Sequence, residues 1–134
     1  MRYLLDTNVC IAALKHESRV LERLEALAPE DLILSPVVLG ELEVGVQKSQ
    51  WPERNRQRLD ALCKGLPLVP LDGAVAMAYG GIRSQLERAG RVIGANDLWI
   101  AAQAMALDAV MVTDNMREFQ RVEGLQVENW LRGP

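Results

Sequence analysis

The sequence predicts an α/β fold: a three-layer α/β/α sandwich in which helices cover both faces of a mostly parallel sheet of roughly five strands. Short apolar runs of strand length alternate with longer segments of helical periodicity. The connections between successive runs are long enough to be crossovers, which join parallel strands. The chain has 134 residues, of which 49% are hydrophobic, and we expect one domain over residues 1–134.

The predicted strands are short runs in which Leu, Val and Ile predominate. They cover residues 3–5, 32–34, 68–71, 110–113 and, more weakly, 125–129. The run at 110–113 reads Val-Met-Val-Thr and has the composition most typical of a strand. Pro70 predicts that the third strand lies at a sheet edge, because proline has no N–H to donate to a neighbouring strand.

Five helices are predicted from apolar residues that recur at helical spacing. The predicted N-terminal caps are Ser18, Ser35 (followed by Pro36 at the first helical position), Asp72 and Asn96. Glycine ends two helices, at Gly65 after the arginine-rich segment 52–64 and at Gly90 after the helix that follows Asp72. The last long helix, over 97–107, is apolar on most faces and is predicted to be buried. Met77, Trp99 and Met105 are predicted to pack in the core.

Composition excludes several classes of protein. The longest stretches without a charge, 73–82 and 98–107, are half as long as the roughly 20 apolar residues of a transmembrane helix. The N-terminus lacks the apolar region of a signal peptide. The two cysteines match neither a zinc spacing nor a disulfide framework. We therefore expect a soluble protein of the reducing cytoplasm without a membrane partner.

The net charge of −3 restricts how the protein would bind nucleic acid. A protein that coats nucleic acid through bulk charge is usually basic. With aromatic residues at only 4%, no platform for stacking single-stranded bases is visible. A nucleic-acid partner would therefore require segregated basic residues, or acidic residues concentrated in a site and neutralised by a metal ion.

Four acidic residues are expected at one edge of the sheet. Asp6 and Asp114 directly follow predicted strands, Asp97 begins the last long helix, and Glu41 lies about a turn and a half into the helix after the second strand. In open parallel sheets the functional crevice lies beyond the carboxyl ends of the strands. Four ionised carboxylates tolerate such crowding only with a cation, and all-oxygen ligands suit Mg²⁺ or Mn²⁺. Taken singly, each acid has an alternative interpretation as a helix cap or turn residue.

Sequence motifs distinguish these acids from ordinary caps. Asp6-Thr7-Asn8, Glu41 within 36–45, the segment 94–102 around Asp97, and the segment 112–119 occur in this order, and the similarity continues through 127–130. Together they resemble the PIN-domain ribonucleases and, more closely, the VapC toxins of bacterial VapBC toxin–antitoxin pairs. The resemblance covers essentially the whole chain and therefore implies a PIN-like fold.

The resemblance implies an endoribonuclease that depends on Mg²⁺ or Mn²⁺, with Asp6, Glu41 and Asp97 as catalytic and metal-binding acids. Many PIN domains place their last acid where this chain has Asn115. Asp114 is the preferred fourth acid here, and Glu118 is the alternative. Thr7 and Thr113 are expected either to position the acids or a water, or to make only local turn hydrogen bonds.

The resemblance also implies partners: an RNA substrate, a VapB-like antitoxin and a second copy of the chain in a homodimer. The overall likeness favours the subgroup that cuts initiator tRNA. Arg54, Arg58, Arg91 and Arg117 either contact the RNA backbone or form solvated surfaces.

Two other functions compete with this interpretation. The first is a non-catalytic PIN-like module that binds RNA or protein. The second is another Mg²⁺ protein on a similar sheet, a receiver domain or a dehalogenase-type phosphatase, which the Asp-Thr-Asn sequence disfavours because position 8 lacks the second acid.

Overall fold

A computed structural model describes residues 1–132 and contains a four-stranded parallel sheet with the order β2-β1-β3-β4. The strands are β1 (Tyr3–Leu5), β2 (Leu32–Ile33), β3 (Val110–Val112) and β4 (Val127–Glu128). The helices are α1 (Thr7–Leu14), α2 (Ser18–Glu25), α3 (Pro36–Lys48), α4 (Pro52–Cys63), α5 (Gly73–Ala89), α6 (Ala95–Ala106) and α7 (Met116–Phe119), with a 3₁₀ turn at Pro29–Asp31. The predicted α/β class with a parallel sheet is confirmed.

The sequence predicted five strands, and the third of these, at 68–71, is not a strand in the structure of residues 1–132, so that prediction is wrong. This segment makes only one isolated parallel bridge, between Leu34 and Leu68. Around this bridge, the main-chain hydrogen bonds between the described residues run from Leu34 N–H to Pro67 O (2.8 Å) and from Val69 N–H to Leu34 O (3.1 Å). Pro67 and Pro70 flank the bridge without an N–H, so the pattern of strand hydrogen bonds cannot continue.

Helix caps explain which predicted boundaries agree with the structure. Ser35 Oγ accepts a hydrogen bond from Val37 N–H (3.2 Å), and Asp72 Oδ1 accepts one from Val75 N–H (3.1 Å). Gly90 ends α5 in the left-handed region, at φ 66°. These caps were predicted because their side chains or backbone freedom satisfy exposed groups at helix ends.

Two predicted caps are wrong. Ser18 is the first residue of α2, whose N-cap position is Glu17. The helix α6 begins at Ala95 after Gly94, so Asn96 lies inside it. The sequence therefore indicated both helices but placed their starts one or two residues from the observed ones.

The core surrounds the two central strands. Every residue of β3 is buried, as are Leu4 and Leu5 of β1. The helix α6 packs against the sheet with half of its residues buried, in keeping with the burial predicted from its alanine-rich composition. Met105 and Trp99 pack against this core, but Met77 is 81% exposed, so its predicted burial is wrong.

In the part of the chain that is described, no helix is both long and apolar enough to cross a membrane.

Candidate functional site

The strand order brings the first acid to the centre of the sheet edge. The strand β1 lies between β2 and β3, with Leu5 opposite Val112, and Asp6 N–H donates to Val112 O (2.8 Å). Asp6 therefore sits beside Thr113, the residue that follows β3. The carboxyl ends of β1 and β3 therefore lie side by side.

Asp6 is a buried carboxylate surrounded by donors. It is 5% exposed. Its Oδ1 accepts from Thr7 N–H (2.8 Å), and its Oδ2 accepts from Thr113 Oγ1 (2.6 Å) and Asn8 Nδ2 (3.2 Å). Such donors offset the cost of burying a charged carboxylate. Asp6 also caps α1, so its capping role and its place in the acidic cluster coincide.

Glu41 reaches the site from α3. Because Ser35 and Pro36 start this helix, Glu41 falls in its second turn, where its side chain is half-buried. Thr7 Oγ1 donates to Glu41 Oε1 at 3.0 Å. Thr7 thus joins the beginning of α1 to α3 and orients the second acid.

Asp97 and Glu118 complete the cluster. Asp97 lies in the first turn of α6, and Glu118 lies in the short helix α7. Burial raises the pKa of Asp97 to about 8, with further contributions from a hydrogen bond to Glu118 and from the negative charges of Asp6, Glu118 and Glu41. All four carboxylates therefore belong to one electrostatic cluster.

The pKa values of Asp97 and Glu118 are shifted in opposite directions. The hydrogen bond from Asp97 lowers the pKa of Glu118, and the Asn115 amide and the Gly94 N–H lower it further. The Asn115 contact is short, 2.6 Å from Nδ2 to Glu118 Oε2. One member of the pair is thus neutral and the other ionised, as expected for two crowded carboxyl groups.

The side chain of Asp114 contacts a different part of the molecule. Its Oδ1 accepts from Asn129 Nδ2 and from Arg132 Nε, both at 3.0 Å, and these contacts lower its pKa. Its N–H donates to Asn8 Oδ1 (3.0 Å). This geometry reverses the preference drawn from sequence: Glu118, rather than Asp114, interacts with Asp97. The reason is that the carboxylate of Asp114 is bound by the C-terminal segment.

The donor set fits a hard divalent cation. Asp6, Glu41, Asp97 and Glu118 supply only carboxylate oxygens, the ligands that Mg²⁺ and Mn²⁺ prefer. In residues 1–132, however, no three His, Cys, Asp or Glu side chains already converge closely enough to ligate one ion. Hydrogen bonds hold Glu41 to Thr7 and Asp97 to Glu118. An ion bound among these carboxylates would relieve the repulsion that such contacts only partly offset.

The four predicted RNA-binding arginines occupy different places. Arg58 lines a cleft of about 330 Å³ together with Glu41 and Lys15, and much of the remaining lining is apolar. Arg117 is exposed on α7, immediately before Glu118. Arg54 is exposed near the start of α4, and Arg91 is exposed between α5 and α6. Of these four arginines, Arg58 is the one that shares a cleft with an acid of the cluster.

Sequence reasoning missed three polar residues near the acids: Asn8, Asn115 and Lys15. Asn8 and Asn115 stand within the recognised motifs, and both bind carboxylates of the cluster. Lys15 gave no signal in the sequence. For Glu118 the sequence does contain a signal, because the next residue, Phe119, is the one phenylalanine of the chain. In the structure Phe119 is fully buried and anchors the short helix that carries Glu118.

Neither cysteine is placed to act as a nucleophile. Cys10 is completely buried, and burial, with the nearby charge of Asp6, raises the pKa of its thiol to about 12. Cys63 is also a free thiol, and its pKa is raised by burial. Since the thiolate is the reactive form, both groups are inert near neutral pH.

Comparison with known proteins agrees with the fold. The PIN domain profile matches residues 3–125. Ribonuclease VapC2 of Rickettsia felis is 42% identical over 132 residues, covering 97% of this chain and 98% of that protein. The tRNA(fMet)-specific endonuclease VapC of Shigella flexneri is 37% identical over 130 residues, covering 97% and 98%.

A solved structure gives the same relationship. The crystal structure of VapBC2 from Rickettsia felis, bound to a DNA fragment from its promoter, contains a chain that superposes with a TM-score of 0.92 at 40% identity, covering 97% of this chain and 99% of that one. A DNA-bound VapBC from Salmonella typhimurium superposes with a TM-score of 0.91 at 34% identity, covering 97% and 98%. PIN-domain ribonucleases are generally dependent on divalent metal ions. The chain therefore belongs to the PIN-domain family, among the VapC ribonucleases.

Proposed function

We propose that this protein is the toxin of a toxin–antitoxin pair, an endoribonuclease that hydrolyses RNA phosphodiester bonds with Mg²⁺ or Mn²⁺. Asp6, Glu41, Asp97 and Glu118 would hold the ion. The observation that carries the proposal is the crowding of Asp6, Glu41 and Glu118 around the half-buried Asp97, where burial and the neighbouring negative charges raise the pKa of that group. A site that suppresses the ionisation of its own acid is one that a cation would stabilise.

The residues around the acids have a positioning role in this proposal. Thr113 and Asn8 donate to Asp6, and Thr7 donates to Glu41, so that two of the four acids are fixed before substrate binds. Carboxylates held in this way lose little freedom when they bind a ligand. When bound, a divalent ion lowers the pKa of a water molecule and offsets negative charge on a phosphate oxygen. No serine or cysteine nucleophile is required.

RNA would be bound by a few cations close to the site. Lys15 and Arg58 lie in the cleft with Glu41, and Arg117 adjoins Glu118. Among residues 1–132, none of these three makes an ion pair with an acidic side chain, so they remain able to contact phosphates. The relative from Shigella flexneri is named for its action on tRNA(fMet). We propose a tRNA as the substrate here.

The partner would be a VapB-type antitoxin. Relatives of known structure are VapBC complexes. Glu41 opens onto the cleft of about 330 Å³, so a segment seated there would cover an acid of the site. The homodimer implied by the resemblance stays a prediction. We place the protein in the cytoplasm, where tRNA is found and where free thiols such as Cys10 and Cys63 stay reduced.

The direct test is cleavage of tRNA by purified protein in the presence of Mn²⁺. Asp6→Asn and Asp97→Asn should each abolish cleavage, because each removes a charged oxygen ligand while preserving the shape of the side chain. Asp108→Asn is the matched control: Asp108 is exposed in a turn at φ 52°, a conformation that asparagine also tolerates, and this variant should cleave normally. Full cleavage by either site variant would refute the mechanism.

A second pair of variants addresses the fourth acid. Glu118→Gln should reduce cleavage strongly, whereas Asp114→Asn should alter mainly the attachment of the C-terminal segment. The opposite result would restore Asp114 as the fourth acid. Wild-type protein that binds tRNA without cutting it under these conditions would favour the non-catalytic binding module.

A further inference from the structure

Asn115 contacts two parts of the acidic cluster through different atoms. Its backbone N–H donates to Thr113 Oγ1 (2.9 Å), and its side-chain Nδ2 donates to Glu118 Oε2 (2.6 Å). Thr113 Oγ1 in turn donates to Asp6 Oδ2 (2.6 Å). Asn115 therefore lies between two acids that belong to different elements of the fold.

The backbone contact determines the direction of the Thr113 hydroxyl. A hydroxyl has one proton to donate and two lone pairs to accept. Because the N–H of Asn115 occupies a lone pair on Thr113 Oγ1, the single hydroxyl proton is free to point at Asp6. This contact is made by the main chain, and substitution of the side chain of Asn115 leaves it intact.

The side-chain contact determines the position of Glu118. The helix α7 has only four residues, and fully buried Phe119 anchors it. A glutamate on so short a helix has several accessible rotamers. The amide of Asn115, three residues earlier, binds Glu118 through a charge-assisted hydrogen bond and directs it toward Asp97.

We infer that Asn115 is a positioning residue whose side-chain amide holds Glu118 in the metal site. The inference rests on the proposed function, because it assigns Asn115 a role only through a metal-binding Glu118. The hydrogen bonds of Asn115 and the anchoring of α7 carry it. It also explains how the uncharged Asn115 contributes to the acidic cluster. Asn115 supplies a hydrogen-bond donor, and Glu118, one turn later, supplies the carboxylate.

The test is a double-mutant cycle read out as Mn²⁺ affinity by isothermal titration calorimetry, with Mn²⁺ as the only ligand. Asn115→Ala should weaken binding about 10-fold, a typical effect of losing a partner that orients a ligand. Glu118→Gln should weaken it at least as much. The double variant Asn115→Ala/Glu118→Gln should bind no more weakly than Glu118→Gln alone, because the amide would have no ligand left to orient.

Asn129→Ala is the matched control. Asn129 makes the same kind of bond, amide to carboxylate at 3.0 Å, but to Asp114 outside the cluster. It should leave Mn²⁺ affinity unchanged. Melting in EDTA identifies any general loss of stability, and Asn115→Ser, whose shorter side chain does not reach Glu118, carries the same prediction if the alanine variant does not fold.

The outcomes separate this inference from the proposed function. Losses that multiply in the double variant, or wild-type affinity in Asn115→Ala, would overturn the role of Asn115. If Glu118→Gln keeps wild-type Mn²⁺ affinity while Asp6→Asn loses affinity, the role of Asn115 is overturned as well. In that case the proposed metal site remains, without Glu118 as a ligand. Wild-type affinity in Asp6→Asn would remove the metal site itself.

Discussion

At the scale of single residues, the Asp97–Glu118 pair has the strongest electrostatic perturbation in the acidic cluster. Asp97 stands in the first turn of α6, where the helix dipole favours a negative charge. Burial and the three neighbouring carboxylates outweigh this effect, because the pKa of Asp97 is raised to about 8. The environment of Asp97 therefore disfavours its charged form, and the proposed metal ion would offset this penalty.

The raised pKa predicts how stability varies with pH in the absence of metal. The folded protein keeps the Asp97 proton up to about pH 8, whereas the unfolded chain releases it near 3.8. This contribution to stability is present in full below the lower value and is lost as the pH rises through the higher one. The pKa of Glu118 is lowered instead, so ionised Glu118 stabilises the folded protein above its ordinary pKa of 4.5. This contribution to stability is lost only as the pH falls below that value.

The measurement is chemical denaturation in EDTA at several pH values across this window. The free energy of unfolding of the wild type should decline more steeply toward pH 8 than that of Asp97→Asn, which cannot titrate at this position. Parallel pH profiles for the two proteins would contradict the assignment of a retained proton to Asp97.

The same residues show how far a site can be predicted from sequence. Asp6, Glu41 and Asp97 could be proposed from the sequence because strand ends and motifs point to them. The choice of the fourth acid, between Asp114 and Glu118, could not be made from the sequence, since both lie just beyond β3. It depends on Asn129 and Arg132, which bind Asp114 only once β4 and the residues after it have packed beside β3.

At the scale of helices and strands, local capping explains most of the boundaries. Asp72, Gly90 and Ser35 act at the ends where they were predicted, because each satisfies groups of its own helix. Short elements were harder to predict. The helix α7 has four residues, too few for a periodic pattern, and it depends on burial of Phe119.

A cap substitution tests whether helix stability can be separated from the site. Asp72→Ala removes the bond to Val75 N–H and should cost about 1 kcal/mol of unfolding free energy. Asp72→Ser keeps a capping oxygen and should cost much less. Both variants should retain wild-type Mn²⁺ affinity, because the four acids lie on other elements. Calorimetric melting and Mn²⁺ titration measure the two effects, and loss of metal binding in the alanine variant would show that α5 supports the site.

At the scale of the whole molecule, the distribution of charge matters more than the net value of −3. Arg56 is bound by Glu43 and Asp60, and Arg83 is bound by Glu87, so these arginines are less available to RNA. Lys15 and Arg58 remain in the cleft beside Glu41. A protein with a net negative charge can thus present a small basic surface beside an acid of its site.

Metal binding should stabilise the entire fold. The acids come from α3, α6, α7 and the end of β1, so an ion bound between them would favour the folded state over the unfolded one. Mn²⁺ at about 100 times its dissociation constant should add about 2.7 kcal/mol and raise the melting temperature. EDTA should reverse the shift, and Asp6→Asn should show little of it. A melting temperature that does not respond to Mn²⁺ in the wild type would count against the site.

The sequence by itself determined the α/β class, the main helices and the family, and it was enough to propose three acids of the site, because these depend on periodicity, caps and short motifs that act locally. Only the tertiary structure decided the four-strand sheet, the partners of Asp114 and the place of Glu118 beside Asp97. These features depend on contacts between residues far apart in the chain: Pro67 and Pro70 limit pairing with β2, and the C-terminal segment binds the side chain of Asp114. No local sequence pattern indicates whether Asp114 or Glu118 will lie beside the other acids in the folded protein.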